Sequence, residues 1–127
     1  MRKKHKRNIQ FKNRAAEIAD RYLMVLDHHI DDILKGNVQD FLQIREIAGR
    51  LAISHSHLID ILQKEKGNSP SHFYSLKIIE KGKELLINSD ISVAKIALMF
   101  TYDPSNFSKF FKKWTGYSPG YYRILNS

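Results

Sequence analysis

IALMFTYDPSNFSKFFKKWTGYSPGYYR, residues 96–123, occurs twice in altered form. Moved back by 49 positions it lies on Ile47-Ala48 through Phe73 without a gap. Ile96 and Ala97 fall on Ile47 and Ala48, Ser105 on Ser56, Phe107 on Leu58 and Lys113 on Lys64. Gly116, Ser118 and Pro119 fall on Gly67, Ser69 and Pro70, and Tyr122 on Phe73. Apolar positions stay apolar: Leu51/Phe100, Ile53/Tyr102, Ile61/Phe110 and Leu62/Phe111. Two copies are too few for a stacked solenoid, so the chain reads as one small module used twice.

Each copy has the periodicity of two short helices around a tight turn. Ile44, Ile47, Ala48 and Leu51 recur at helical spacing, and Leu58, Ile61 and Leu62 do so again after Ala52-Ile53-Ser54. So short a break forces the helices to cross closely, and the small Ala48 and Ala52 let their backbones approach. Ten residues separate Ala48 from Leu58 and Ala97 from Phe107. That spacing is the mark of a helix-turn-helix, whose second helix enters the major groove of DNA. Ser54 and Asp103 stand where that helix needs an N-cap. Gly67 and Gly116 suit a helix C-terminus at positive φ, and Ser69-Pro70 and Ser118-Pro119 each start another helix. The helix from about Pro70 to Asn88 would span about 27 Å, with Phe73, Leu76, Ile79, Leu85 and Leu86 on its apolar face. Pro119 to Leu125 closes the chain.

With these residues in view, Leu42 to Arg123 resembles the DNA-binding domain of the AraC/XylS family of bacterial transcription regulators. The resemblance rests on Ile96-Ala97, Ser105, Phe107, Phe111-Lys112-Lys113, Gly116, Ser118-Pro119 and Tyr122-Arg123. It implies two helix-turn-helix modules joined by a rigid helix, double-stranded DNA and RNA polymerase as partners, and activation more often than repression. Thr101-Tyr102 replaces the family's Gly-Phe in a turn that is one residue shorter, Ile78 its linker arginine, and Gly82 its linker alanine.

The remaining features set the boundaries. The expected fold is all-α, with a basic tail over 1–14, a first subdomain with its leading helix over 15–69, the linker over 70–89 and a second subdomain over 90–127. Within 127 residues there is no cysteine, which removes disulfides and thiolate metal sites and fits a cytoplasmic location. No apolar run approaches membrane-spanning length, so no membrane partner is expected. Net charge is +8 and pI is about 9.7. Met1 to Arg14 holds seven Lys/Arg and Pro104 to the end holds four, both without an acid, which favours a polyanionic partner. The tail reads as a solvated segment or as a DNA-contacting arm. A helix from about Phe11 runs to the Gly36-Asn37 stop. Its half from Tyr22 to Leu34 is expected to pack on the first module; the rest packs, dimerises or connects elsewhere, so the chain is a monomer or a weak dimer through this helix. A basic start at Met1 favours a stand-alone regulator over a fragment of a larger sensor.

No catalytic, cofactor or metal constellation is present, so an enzyme is not expected. His55 and His57 point different ways on a helix, and His28-His29 beside Asp27, Asp31 and Asp32 reads as a solvated helix face. The base-reading candidates lie opposite the anchors Leu58 and Phe107: Ser54, His55, Ser56, Ile59, Asp60 and Gln63 in the first module, and Asp103, Pro104, Ser105, Ser108, Lys109 and Lys112 in the second. Lys64, Lys113 and Arg123 are assigned to phosphates. Unlike faces predict an asymmetric bipartite site with half-sites about 10 bp apart, with DNA bending to meet both. The alternative is a basic helical module that binds nucleic acid non-specifically or holds an acidic protein.

Overall fold

The computed structural model describes residues 13–127. Among them all regular structure is helical: α1 Arg14–Leu34, α2 Ile44–Arg50, α3 His55–Lys66, α4 Pro70–Asn88, α5 Val93–Met99, α6 Pro104–Thr115 and α7 Pro119–Leu125. The tail before residue 13, and Phe11 with it, lies outside the described residues. The linker helix has the bounds its Ser-Pro start and apolar spacing suggest. The described residues form two compact units, one holding residues 13–28 with Leu42–Tyr74, the other His29–Phe41 with Ser75–Ser127. Both α1 and α4 therefore give residues to each unit, and the units do not follow simple cuts in the sequence.

The first unit is built on aliphatic side chains. Ile47, Ala48 and Leu51 of the α2 arm and Leu58, Ile61 and Leu62 of α3 are buried, together with Ile18, Ala19, Tyr22 and Leu26 of α1. Each fully buried leucine or isoleucine side chain contributes about 1.5–3 kcal/mol. Ile18 and Ala19 show that the first part of α1 packs within the chain, and Met24 is its exposed large apolar side chain. The Tyr22 hydroxyl donates to the Pro70 carbonyl at 2.8 Å. Burial first, and Tyr74 second, push its ionisation above the ordinary tyrosine range, so it stays a neutral donor. Lys66 meets Asp20 at 2.7 Å and ties the end of α3 to α1.

The second unit is built on aromatic rings. Phe100 stacks on Phe107 at 5.8 Å, Phe107 tilts against Phe111 at 6.0 Å, and Tyr102 stacks on Phe110 at 5.4 Å. Offset and edge contacts of this kind add about 0.5–1.5 kcal/mol each beyond area burial. A Cβ at Gly82 would stand 3.5 Å from Phe107 Cζ, an ordinary contact, so the position has room for the family's alanine. Ile78, where the family has arginine, is buried. Ile30 and Ile33 are buried, and residues 29–41 group with this unit, whereas the sequence reading places α1 on the first module as far as Leu34. Nor is the histidine–aspartate run simply a solvated face: His29 is buried with its ring 5.9 Å from Phe41, and Asp31 pairs with Lys81 at 3.3 Å.

Candidate nucleic-acid interface

Both turns are formed by the same backbone device. Among the described residues, Ala52 at φ 60° and Thr101 at φ 61° are the non-glycine residues in the left-handed region. Around them, Ile53 N–H donates to Ala48 O and Tyr102 N–H to Ala97 O, at 3.1 and 2.9 Å. Ala52 is exposed, so its small size serves this conformation rather than the close helix crossing, which falls to the buried Ala48 and Ala97. A β-branched threonine at positive φ is strained, and the surrounding hydrogen bonds hold it there.

The second helix of each module is fixed at both ends. Ser54 Oγ accepts from His57 N–H at 3.1 Å, and Asp103 Oδ2 accepts from Ser105 and Asn106 N–H at 3.1 and 3.3 Å. Pro104 begins α6, where its missing N–H costs nothing. Gly67 and Gly116 end α3 and α6 at φ 79° and 86°. A buried stripe, Leu58, Ile61 and Leu62 in α3 and Phe107 and Phe111 in α6, decides which side is left outward.

On that outward side the structure leaves Ser54, Ser56, Ile59, Asp60, Gln63 and Lys64 exposed and His55 half-buried. In the second module Asp103, Ser105, Lys109, Lys112 and Lys113 are exposed, and Pro104 and Ser108 half-buried. His57 and Asn106, 49 residues apart and each just before an anchor, are exposed as well. They stand one position before the anchors, as Ile59 and Ser108 stand one after, and a helix turns about 100° per residue, which is enough to bring them out. Arg45 and Arg50 on α2 and Lys95 on α5 are further exposed cations, on helices that in this motif cross the DNA backbone.

Arg123 goes elsewhere. Its Nε donates to Leu86 O at 2.9 Å, and Nη2 donates to Ser89 O at 3.2 Å and Leu85 O at 3.5 Å. These carbonyls lie at the C-terminal end of α4, where the helix leaves its last carbonyls unpaired and its dipole favours a cation. These contacts turn Arg123 back onto its own chain, whereas the sequence reading assigns it to a phosphate.

The faces differ in charge. In α3, Lys64 and Lys66 are balanced by Asp60 and Glu65; α6 carries Lys109, Lys112 and Lys113 with no acid. None of these three lysines has an ion-pair partner among the described residues, so their charge is directed at solvent or at a ligand.

Residues 47–124 match the family described as helix-turn-helix domain. The chain is 34% identical over 91 residues to the raffinose operon transcriptional regulatory protein of Pediococcus pentosaceus, covering 71% of this chain and 33% of that protein. It is 29% identical over 96 residues to the lactose operon transcription activator of Staphylococcus xylosus, covering 75% and 34%. Among solved structures it superposes on the C-terminal domain of AraT, a response regulator from Geobacillus stearothermophilus, with TM-score 0.75 and 28% identity over 89% of this chain and 88% of that one. The DNA-binding domain of AdpA, solved with a target DNA, shares the fold at TM-score 0.66 and 20% identity, over 87% and 90%. The chain spans between 14% and 34% of the length of the curated relatives it matches.

Proposed function

Given that the chain belongs to the AraC-type helix-turn-helix family of DNA-binding transcription regulators, we propose that it reads one asymmetric bipartite site through two unlike helices. The carrying observation is that α3 and α6 are capped and anchored alike yet present different outward chemistry. Lys109 and Lys112 suit guanine O6 and N7, Gln63 suits adenine, Ile59 a thymine methyl and Asp60 a cytosine N4. Asn106 adds a second candidate for adenine. Lys64 and Lys113, joined by Arg45, Arg50 and Lys95, hold phosphates and set register without reading sequence. The half-sites lie about 10 bp apart, the spacing that presents two major-groove segments on one face of the duplex.

The second module anchors. Its three lysines supply attraction that does not depend on sequence, whereas the balanced charge of α3 makes the first module dependent on good base contacts. Activation with RNA polymerase as partner, and action in the cytoplasm, follow the family; a relative named for activating a lactose operon supports that direction. Selection of bound sequences from a random duplex pool at near-physiological salt is the test. One enriched asymmetric site with two unlike halves supports the reading. A palindrome would overturn the two-reader monomer, and absence of enrichment would leave only salt-dependent, non-specific binding.

A further inference from the structure

The repeat extends one residue past the aromatic pair Phe73 and Tyr122, and there the two copies carry different residues. Tyr74 and Arg123 are 49 apart in sequence. Tyr74 donates its hydroxyl to Leu42 O at 2.9 Å, just ahead of Gln43, the N-cap of α2. Arg123 donates to Leu86 O at 2.9 Å and Ser89 O at 3.2 Å, ahead of Ser92, the N-cap of α5. In both cases the fifth residue of the helix that follows a module reaches back to a main-chain carbonyl of the segment that precedes it. Each helix-turn-helix is thus tied shut across its open ends, by a hydroxyl in one copy and a guanidinium in the other.

We propose that Tyr74 and Arg123 are positioning residues, each fixing the reading helix of its own module against the chain that enters it, and that neither contacts DNA. The proposal rests on the two-reader function above and deepens it. In the second module the link to the reading helix is direct: Tyr122, next to Arg123, sets its ring edge-on to Phe111 of α6 at 5.4 Å. Lys83 lies over the Tyr122 ring at 5.8 Å, so α7 is held from α4 as well. The first module has a neutral tie from a buried tyrosine. A carbonyl offers the same acceptor to either donor, so the repeat has kept the tie while changing the side chain.

Two measurements on the full chain test this. In free protein, Arg123→Met should accelerate amide hydrogen exchange across Pro104–Thr115 by about tenfold and leave His55–Lys66 at wild-type rates, and Tyr74→Phe should do the reverse. On mixed-sequence duplex, Arg123→Met should keep the wild-type slope of log affinity against log salt, while on the selected site it loses discrimination in the second half-site alone. Arg123→Lys, with charge and one donor retained, should lie between wild type and Arg123→Met in exchange. A slope reduced by about 0.9 with exchange unchanged would mean Arg123 is a phosphate ligand and overturn the proposal. Equal acceleration of both reading helices by either variant would also overturn it, since that is general loosening. If the wild type bound no DNA, the exchange result would still decide the ties, so the two readings fail separately.

Discussion

The two modules share a backbone plan and differ in nearly everything attached to it. The first closes over Leu51, Leu58 and Leu62; the second over Phe100, Phe107 and Phe111 at the same register. The first reading helix is electrically balanced; the second carries three uncompensated lysines. The caps, the left-handed turn residue and the terminal glycine keep their places in both. What must stay constant is the backbone geometry that presents a helix to the groove. Packing and reading chemistry are free to diverge once that is secured.

The largest test of this contrast is at the anchors. Phe107→Ala should cost about 3–5 kcal/mol and Leu58→Ala about 2–5 kcal/mol, because each leaves a cavity in a fully buried site. Denaturant midpoints would show it, with Phe107→Ala the worse of the two because its ring also stacks on Phe100. A smaller gain should follow where the second module departs from its family. Thr101→Gly should stabilise by about 1 kcal/mol, since relief of about 1–2 kcal/mol of left-handed strain exceeds the added chain entropy. Ala52→Gly should give less, because alanine lacks the β-branch, and a loss in either variant would mean the turn is unstrained. Gly82→Ala should add about 0.5–1 kcal/mol, from helix propensity and contact with the Phe107 ring, read as a rise in melting temperature. Smallest of all, Asp20→Asn removes a largely solvated ion pair with Lys66 and should cost under about 1 kcal/mol, with the loss shrinking in high salt.

Much of this fold can be read from the chain because its determinants are local. Ser54, Asp103, Gly67 and Gly116 act on backbone within a few residues of themselves, so their types and spacing locate the helix ends. The buried stripes of α3 and α6 follow from period alone. Features that depend on distant partners were not legible. Nothing near Arg123 in sequence reveals its contacts to the carbonyls of Leu86 and Ser89. Ala52 looked like a packing residue because a residue type does not report its φ. The division of α1 between two units was hidden for a related reason: one continuous apolar face can serve two cores without any break in its pattern. Among the candidate readers, the exposed side of each second helix was legible from its anchors, but His57 and Asn106 needed the backbone to bring them out.

The claim that the second module anchors the protein to DNA is tested most directly by the salt dependence of binding. Affinity would be measured across a salt series for wild type, for Lys109, Lys112 and Lys113 all changed to Gln, and for Lys64 and Lys66 both changed to Gln. On mixed-sequence duplex, where Lys109 and Lys112 have no chosen guanine to read and meet phosphates as Lys113 does, the account predicts that the α6 variant flattens the slope by about 2 to 3, close to 0.9 for each lysine removed. The α3 variant should flatten it by about 1, since Lys66 is engaged with Asp20 and only Lys64 faces the duplex. Equal flattening by both variants, or an α6 variant with the wild-type slope, would contradict it.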